Sequence, residues 1–182
     1  MKLIRIFSLF LLAIFVAGCA TTPTSTGDPV RDSLAYLETQ QAGFRLQFSE
    51  PASYAVKEGD LLDLHFASSR SGYVSLYVVH SSRKISRLIA NFPVTTHVTY
   101  RFPSAESANN LQFSKPYGME YFVLAATALP VEPLTPAEIE TTGASVILNV
   151  IPEQFGQWLS NRLNLSATDQ WEGAVLQLEI IP

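Results

Sequence analysis

The apolar residues of this chain change rhythm several times between its ends. Ile6–Val16 is an apolar run broken only by Ser8, shorter than the stretch of about 20 residues that a permanent membrane-spanning helix needs. Residues Ala20–Pro29 (ATTPTSTGDP) have no apolar period, and their Thr, Ser and Pro content predicts a solvated linker. Asp28-Pro29 then sets an N-cap before a proline at the first helical position. Val30, Leu34 and Leu37 follow at i, i+4 and i+7, so a short helix is expected through about Gln41.

From Gly43 the period falls to two. Phe44-Arg45-Leu46-Gln47-Phe48 alternates, and Leu62, Leu64 and Phe66 alternate with Asp63, His65 and Ala67. Tyr73–Val79 is β-rich on both faces, as a central strand is. Ile85–Ala90 follows the polar turn Ser81-Ser82-Arg83, which reads as a hairpin. Val98, Tyr100 and Phe102 alternate with His97, Thr99 and Arg101, and Leu111–Phe113 and Tyr121–Thr127 complete a run of short strands. No strand–helix–strand rhythm precedes residue 130, which argues against a parallel α/β sheet.

The last third is mixed. Thr135-Pro136-Ala137-Glu138 has the form of a capping box with proline at its first position and opens a short helical turn. Val146–Val150 reads as a strand. Phe155, Trp158, Leu159, Arg162 and Leu163 fall on one face of an amphipathic helix from about Pro152 to Leu163. Ala174–Ile181 alternates as a final strand. The fold class expected is mainly β: an antiparallel β-sandwich-like domain over residues 30–182, with one C-terminal amphipathic helix packed on it. No internal repeat is present.

Composition narrows the function classes. The 182 residues suit one domain plus a targeting segment. Twelve Lys and Arg against 16 Asp and Glu give a net charge of −4, which argues against a nucleic-acid partner held by a basic face. A single cysteine leaves no internal disulfide, Cys-rich zinc site or CxxC redox pair.

That cysteine has a context. Lys2 and Arg5 precede the apolar run, and Val16-Ala17-Gly18-Cys19 ends it. This resembles a bacterial lipobox. The resemblance implies a signal peptide over residues 1–18, acylation of Cys19 as the new N-terminus, and a lipidated linker over 19–29. Ala20, rather than Asp, follows the cysteine, which by the same resemblance implies the outer membrane; a periplasm-facing domain is expected there, with surface exposure left open. Two or three acyl chains hold a protein on a bilayer without appreciable release. An ordinary secretory signal with an incidental cysteine is the competing reading.

A second resemblance lies within the β region. Tyr54-x-Val56-x-x-Gly59-Asp60-x-Leu62-x-Leu64-x-Phe66 is followed by Gly72-Tyr73-Val74-x-Leu76-Tyr77, Leu88-Ile89-Ala90-Asn91 and Pro116-Tyr117-Gly118-Met119-Glu120. Over residues 54–127 this resembles domain of unknown function 4384, with Ile89-Ala90 standing where the family usually has an aromatic–proline pair. The resemblance implies a β-sandwich and carries no catalytic assignment. Gly59-Asp60 also has a plain structural reading as a turn that opens a strand.

Candidate chemistry is sparse. Ser81-Ser82-Arg83-Lys84 matches S-x-x-K and Ser107-Ala108-Asn109 matches S-x-N, but the serine falls in a predicted turn and no K-T-G follows. His65, His80 and His97 lack metal-ligand spacing and read as solvated strand-face residues. Asp60 and Asp63 read as a turn and a solvent-facing strand residue, and Glu138 and Glu140 diverge within one helical turn. Neither a metal nor another cofactor is expected. Tyr73, Tyr77, Tyr100, Phe113, Tyr117 and Tyr121 read as core and cross-strand packing, and the Trp158 face as docked on the sheet. Arg83, Lys84 and Arg87 form the sole basic cluster, a charged hairpin that discourages edge pairing or a partner contact.

The expectation is therefore a non-enzymatic, membrane-anchored accessory or assembly factor that binds other envelope proteins. A peptidoglycan- or glycan-binding lipoprotein is the alternative, and a hydrolase ranks last.

Overall fold

The computed structural model of the chain describes residues 25–38, 45–104, 111–142, 145–167 and 171–182. Helix α1 spans Pro29–Glu38 and α2 spans Phe155–Ala167. The strands are β1 (Leu46–Phe48), β2 (Ser53–Lys57), β3 (Leu64–Ser68), β4 (Gly72–Val79), β5 (Ile85–Val94), β6 (Thr99–Phe102), β7 (Gly118–Thr127), β8 (Ile139–Thr142), β9 (Ser145–Leu148) and β10 (Trp171–Ile181). They form a three-stranded sheet in the order β1-β3-β6 and a seven-stranded sheet in the order β2-β10-β7-β4-β5-β9-β8. Every named pairing is antiparallel except that of β2 with β10, where Ser53 lies opposite Gln177 and Lys57 opposite Ile181.

The two faces of the large sheet are buried against different partners. Val74, Leu76, Val78, Phe122, Leu124, Leu176 and Leu178 face the small sheet and meet Leu46, Leu64 and Phe66 there. Tyr77, Val79, Tyr121 and Val123 point the other way and meet Leu34 and Leu37 of α1 and Phe155, Leu159 and Leu163 of α2. The alternation of side chains along each strand produces this division. The mainly β, sandwich-like class with a C-terminal helix on the sheet is what the structure has. Phe155 docks edge-on against Tyr77 at 5.5 Å between ring centroids and stacks on Trp158 at 5.8 Å.

Local chemistry sets several boundaries. Asp28 caps α1, its Oδ1 accepting from the N–H groups of Val30 (2.8 Å) and Arg31 (3.2 Å). Gly59 takes φ +90° in the turn before β3, the left-handed conformation that a side chain disfavours. Lys57 N–H donates to Asp60 across the same turn. The β4–β5 hairpin closes through Ser81-Ser82-Arg83. His80 and Lys84 are joined by an N–H to carbonyl bond of 2.8 Å, and Arg83 sits at φ +66°.

Three expectations need correction. Leu111–Phe113 is not a strand but a single bridge, Gln112 opposite Leu61, flanked by backbone bonds from Leu62 N–H to Leu111 O and from Phe113 N–H to Asp60 O. The helical turn after Thr135 is one 3-10 turn, Pro136–Glu138, and Glu140 already lies in β8. The β4–β5 hairpin guards no sheet edge, because β7 and β9 flank it.

Strand β5 is irregular where it matters most. Tyr77 lies opposite Arg87, Leu76 opposite Ile89 and Val74 opposite Phe92, so three steps on β4 match five on β5. Strand β5 therefore carries two extra residues, and Asn91 among them has φ +50°. Such bulges bend a strand and re-aim its side chains.

Candidate functional site

The three residues of the basic hairpin have separate fates. Arg83, at the tip, donates through Nη2 to Glu153 before α2. That hydrogen bond from Arg83 is the main cause holding the Glu153 carboxyl below the usual glutamate range. Lys84 is exposed. Arg87, opposite Tyr77 on the helix-covered face, is half-buried, and its side chain has no hydrogen-bond or ion-pair partner among the described residues.

Around Arg87 the bulged part of β5, the segment after β7 and α2 enclose a pocket of about 180 Å³. Its walls include Tyr77, Asn91, Val131, Pro133 and Arg162. Asn91 Nδ2 donates to Val131 O and Val131 N–H donates to Asn91 Oδ1, both at 2.8 Å, so a side-chain amide stands in for a strand partner. Asn91 N–H in turn reaches Ser75 Oγ at 3.2 Å. Arg162 is fully engaged: Nη1 donates to Glu138 Oε1 at 2.5 Å, and Nη2 donates to Glu132 O at 2.5 Å and Pro133 O at 2.6 Å. Its guanidinium also lies 5.7 Å from the centre of the Trp158 ring. Burial pushes the Tyr77 phenol up from its ordinary value, while Arg87 and Arg162 pull it down.

A second hollow, about 210 Å³, opens on the sandwich-facing side of the same strand. Phe66, Ile89, Phe92 and Phe102 give it apolar walls, and Arg101 and Ser104 lie at its rim. Phe92 is 39% exposed and meets Tyr100 edge-on at 5.3 Å. Arg101 grips Asp63 through Nε to Oδ1 (2.6 Å) and Nη2 to Oδ2 (3.1 Å), and this hydrogen bonding keeps Asp63 below the usual carboxylate range.

His80 is not a solvated strand-face residue. It is half-buried, with Nδ1 3.0 Å from Glu120 Oε1 and Nε2 3.0 Å from Ser86 Oγ. Glu120 and Ser86 are buried, so the imidazole satisfies two polar groups that three adjacent strands bring to the end of the sandwich core. A cleft of about 250 Å³ beside it is lined by Asp28, His80, Ser81, Tyr117 and Tyr121, but not by Ser86. His65 is bonded through Nδ1 to Glu50 Oε1 at 3.0 Å, with Asp63 3.8 Å from its Nε2. His97 is exposed at φ +61°. Among the described residues, no three His, Cys, Asp or Glu side chains are grouped to hold a metal ion.

The remaining candidates disperse. Ser81 Oγ donates to Pro116 O at 2.7 Å. Asp60 serves its turn. Tyr77, Phe113 and Tyr121 are buried, Tyr73 and Tyr100 are half-buried, and Tyr117 is 38% exposed with its hydroxyl on Glu58 Oε2. Ser107-Ala108-Asn109 and the lipobox with Cys19 lie outside the described residues. Sequence reasoning missed Asn91 and the pocket role of Arg162. One signal was available for the latter: an arginine on the apolar face of a helix needs acceptors within the fold.

The model of the family described as a domain of unknown function (DUF4384) matches residues 55–130. That stretch covers most of β2 and all of β3 to β7, and so contains Arg87 and Asn91 but neither helix nor Arg162. No curated protein matches the chain.

Proposed function

We propose that this chain is an outer-membrane-anchored lipoprotein whose folded part binds other proteins without catalysing a reaction. It acts as an accessory or assembly factor of a cell-envelope machine, such as a secretion apparatus, a surface appendage or the cell-wall synthetic apparatus. The anchor is Cys19, acylated after removal of residues 1–18. The observation that carries the binding role is the apolar hollow at the β5 margin, where Phe92 is exposed, Phe102 is half-buried and the buried ring of Phe66 forms the floor. Apolar surface of this kind, rimmed by polar groups, is what protein contacts use.

The tether supports the same reading. Ser25 Oγ and Thr26 N–H both donate to Asp32 at 2.7 Å, which pins the chain to α1. From Cys19 to Ser25 the backbone spans at most about 20 Å. A domain moored so closely meets partners of the same membrane at high effective concentration. Among the described residues, no helix is long and apolar enough to cross a membrane.

The test places a photo-crosslinking residue at Phe92 and, as control, at Thr99 in native envelopes. The expected result is a discrete protein adduct from position 92 that vanishes when Cys19→Ala is combined with a non-lipoprotein signal. Mass spectrometry is expected to find acyl chains on Cys19. Absence of the adduct, or an adduct indifferent to anchoring, would overturn the reading.

A further inference from the structure

We propose that the pocket around Arg87 is a carboxylate-binding site, with the Arg87 guanidinium as its recognition group. The Arg87 guanidinium is half-buried on the pocket wall, its side chain has no acceptor among the described residues, and its N–H groups keep their access to solvent, so an incoming acceptor meets donors that are already open. The surrounding polar groups are otherwise matched: Arg162 to Glu138 and two carbonyls, Asn91 to Val131, and Ser75 to Asn91 N–H. Among the described residues that line the pocket, the Arg87 side chain has no such complement.

The backbone around it is built for the purpose. Two extra residues in β5 open the ladder immediately after Arg87, and the left-handed Asn91 clamps the opposite wall by a two-bond amide bridge. The wall cannot collapse onto the guanidinium, so the hollow is preorganised, which spares an incoming group the cost of ordering it.

Size and charge define the ligand. A pocket of about 180 Å³ with Val131, Pro133 and Ala90 in its walls admits one short acid arm. The planar fork of arginine matches the two oxygens of a carboxylate. Glu138 offsets the charge of Arg162, and exposed Glu132 on the pocket wall adds a further negative charge, so a ligand is held by the Arg87 fork rather than by net charge, and the site disfavours a dianion such as phosphate. This inference deepens the adaptor reading by naming the chemistry of the partner group: an acidic side chain offered beside the β5 margin. A free small carboxylic acid presents the same chemistry.

The experiment titrates full-length protein in detergent micelles with four probes: the peptide acetyl-Ala-Ala-Glu-Ala-Ala-amide, its Gln counterpart, acetate and inorganic phosphate. The Glu peptide is expected to bind about tenfold or more tighter than the Gln peptide, as a bidentate charge-assisted pair provides. Arg87→Gln abolishes that difference. Arg87→Lys keeps the charge without the fork and retains part of it. Arg83→Gln, on the same hairpin, leaves it intact. Acetate matching the peptide, with the same Arg87 dependence, upholds the site and assigns it to small acids; a tighter peptide upholds it and assigns it to a protein. Equal binding of the two peptides, indifference to Arg87→Gln, or phosphate binding tighter than acetate overturns the proposal. No membrane partner enters this titration, so its failure leaves the crosslinking result at Phe92 standing, and the reverse also holds.

Discussion

The two faces of the seven-stranded sheet solve the same burial problem by different means. Toward the small sheet the cover is strand against strand, with Leu64, Phe66, Leu124 and Leu176 all at or below 1% exposure. The charged group on that side, Glu120, is buried at its end and held by His80. Toward the helices the cover is narrower: two helices reach only part of the sheet, and β5 beyond Arg87 is closed by the 131–133 segment and by Arg162. The family match takes in β3 to β7 and most of β2, but leaves out β1 and β10 of the sandwich as well as both helices. The match thus covers the central strands common to both faces rather than the whole sandwich, and the Arg87 guanidinium lies where the helix cover ends.

Breaking the helix cover gives the largest effect. Phe155 is fully buried and links α2 to Tyr77. Phe155→Ala should cost about 3–5 kcal/mol in equilibrium denaturation, as a large cavity under a helix does. If the two faces form one cooperative unit, the sandwich melts in the same transition. A separate, unshifted transition of the sandwich would show the helix layer to be an independent cover.

Close approach of the helices comes next. A Cβ on Gly156 would sit 1.9 Å from Ser33 O, in the backbone of α1. Helix propensity alone favours Gly156→Ala by up to about 1 kcal/mol. Overpacking against a backbone carbonyl costs about 1–3 kcal/mol, here at the upper end, and wins. The variant should therefore melt at lower temperature and show faster hydrogen exchange in α1. A more stable Gly156→Ala would mean that the helices are not seated this tightly.

Much of the sandwich was legible because its signals are local. Alternation in Leu62–Phe66 and Tyr73–Val79, the turn residues Gly59-Asp60 and Ser81–Arg83, and the family motif all report on neighbours in sequence. The parallel β2–β10 pair was not legible, since Ser53 and Gln177 meet only through the whole topology. The pocket was harder still. Arg87, Asn91 and Arg162 come from a bulged strand and a helix, and nothing in the period-two pattern marks the two extra residues of β5. His80 was misread for a related reason: the buried Glu120 it satisfies is 40 residues away.

The finest separation between the two covers is electrostatic. Burial raises the Glu138 carboxyl, but hydrogen bonds from the Thr135 N–H and hydroxyl, together with the Arg162 guanidinium, outweigh it and hold the group below its ordinary 4.5. A carboxyl depressed in the folded state contributes stability that is present above the unfolded value and lost as pH falls through the folded one. Glu138→Gln should therefore be less stable than the parent at pH 7, by about 1 kcal/mol. That gap should close in acid, below about pH 4.5. Denaturant midpoints measured from pH 7 to pH 3 check it. A gap that stays constant over that range would mean that Arg162 braces the 132–138 segment through the two carbonyls alone, and that the carboxylate adds nothing to the helix-side cover.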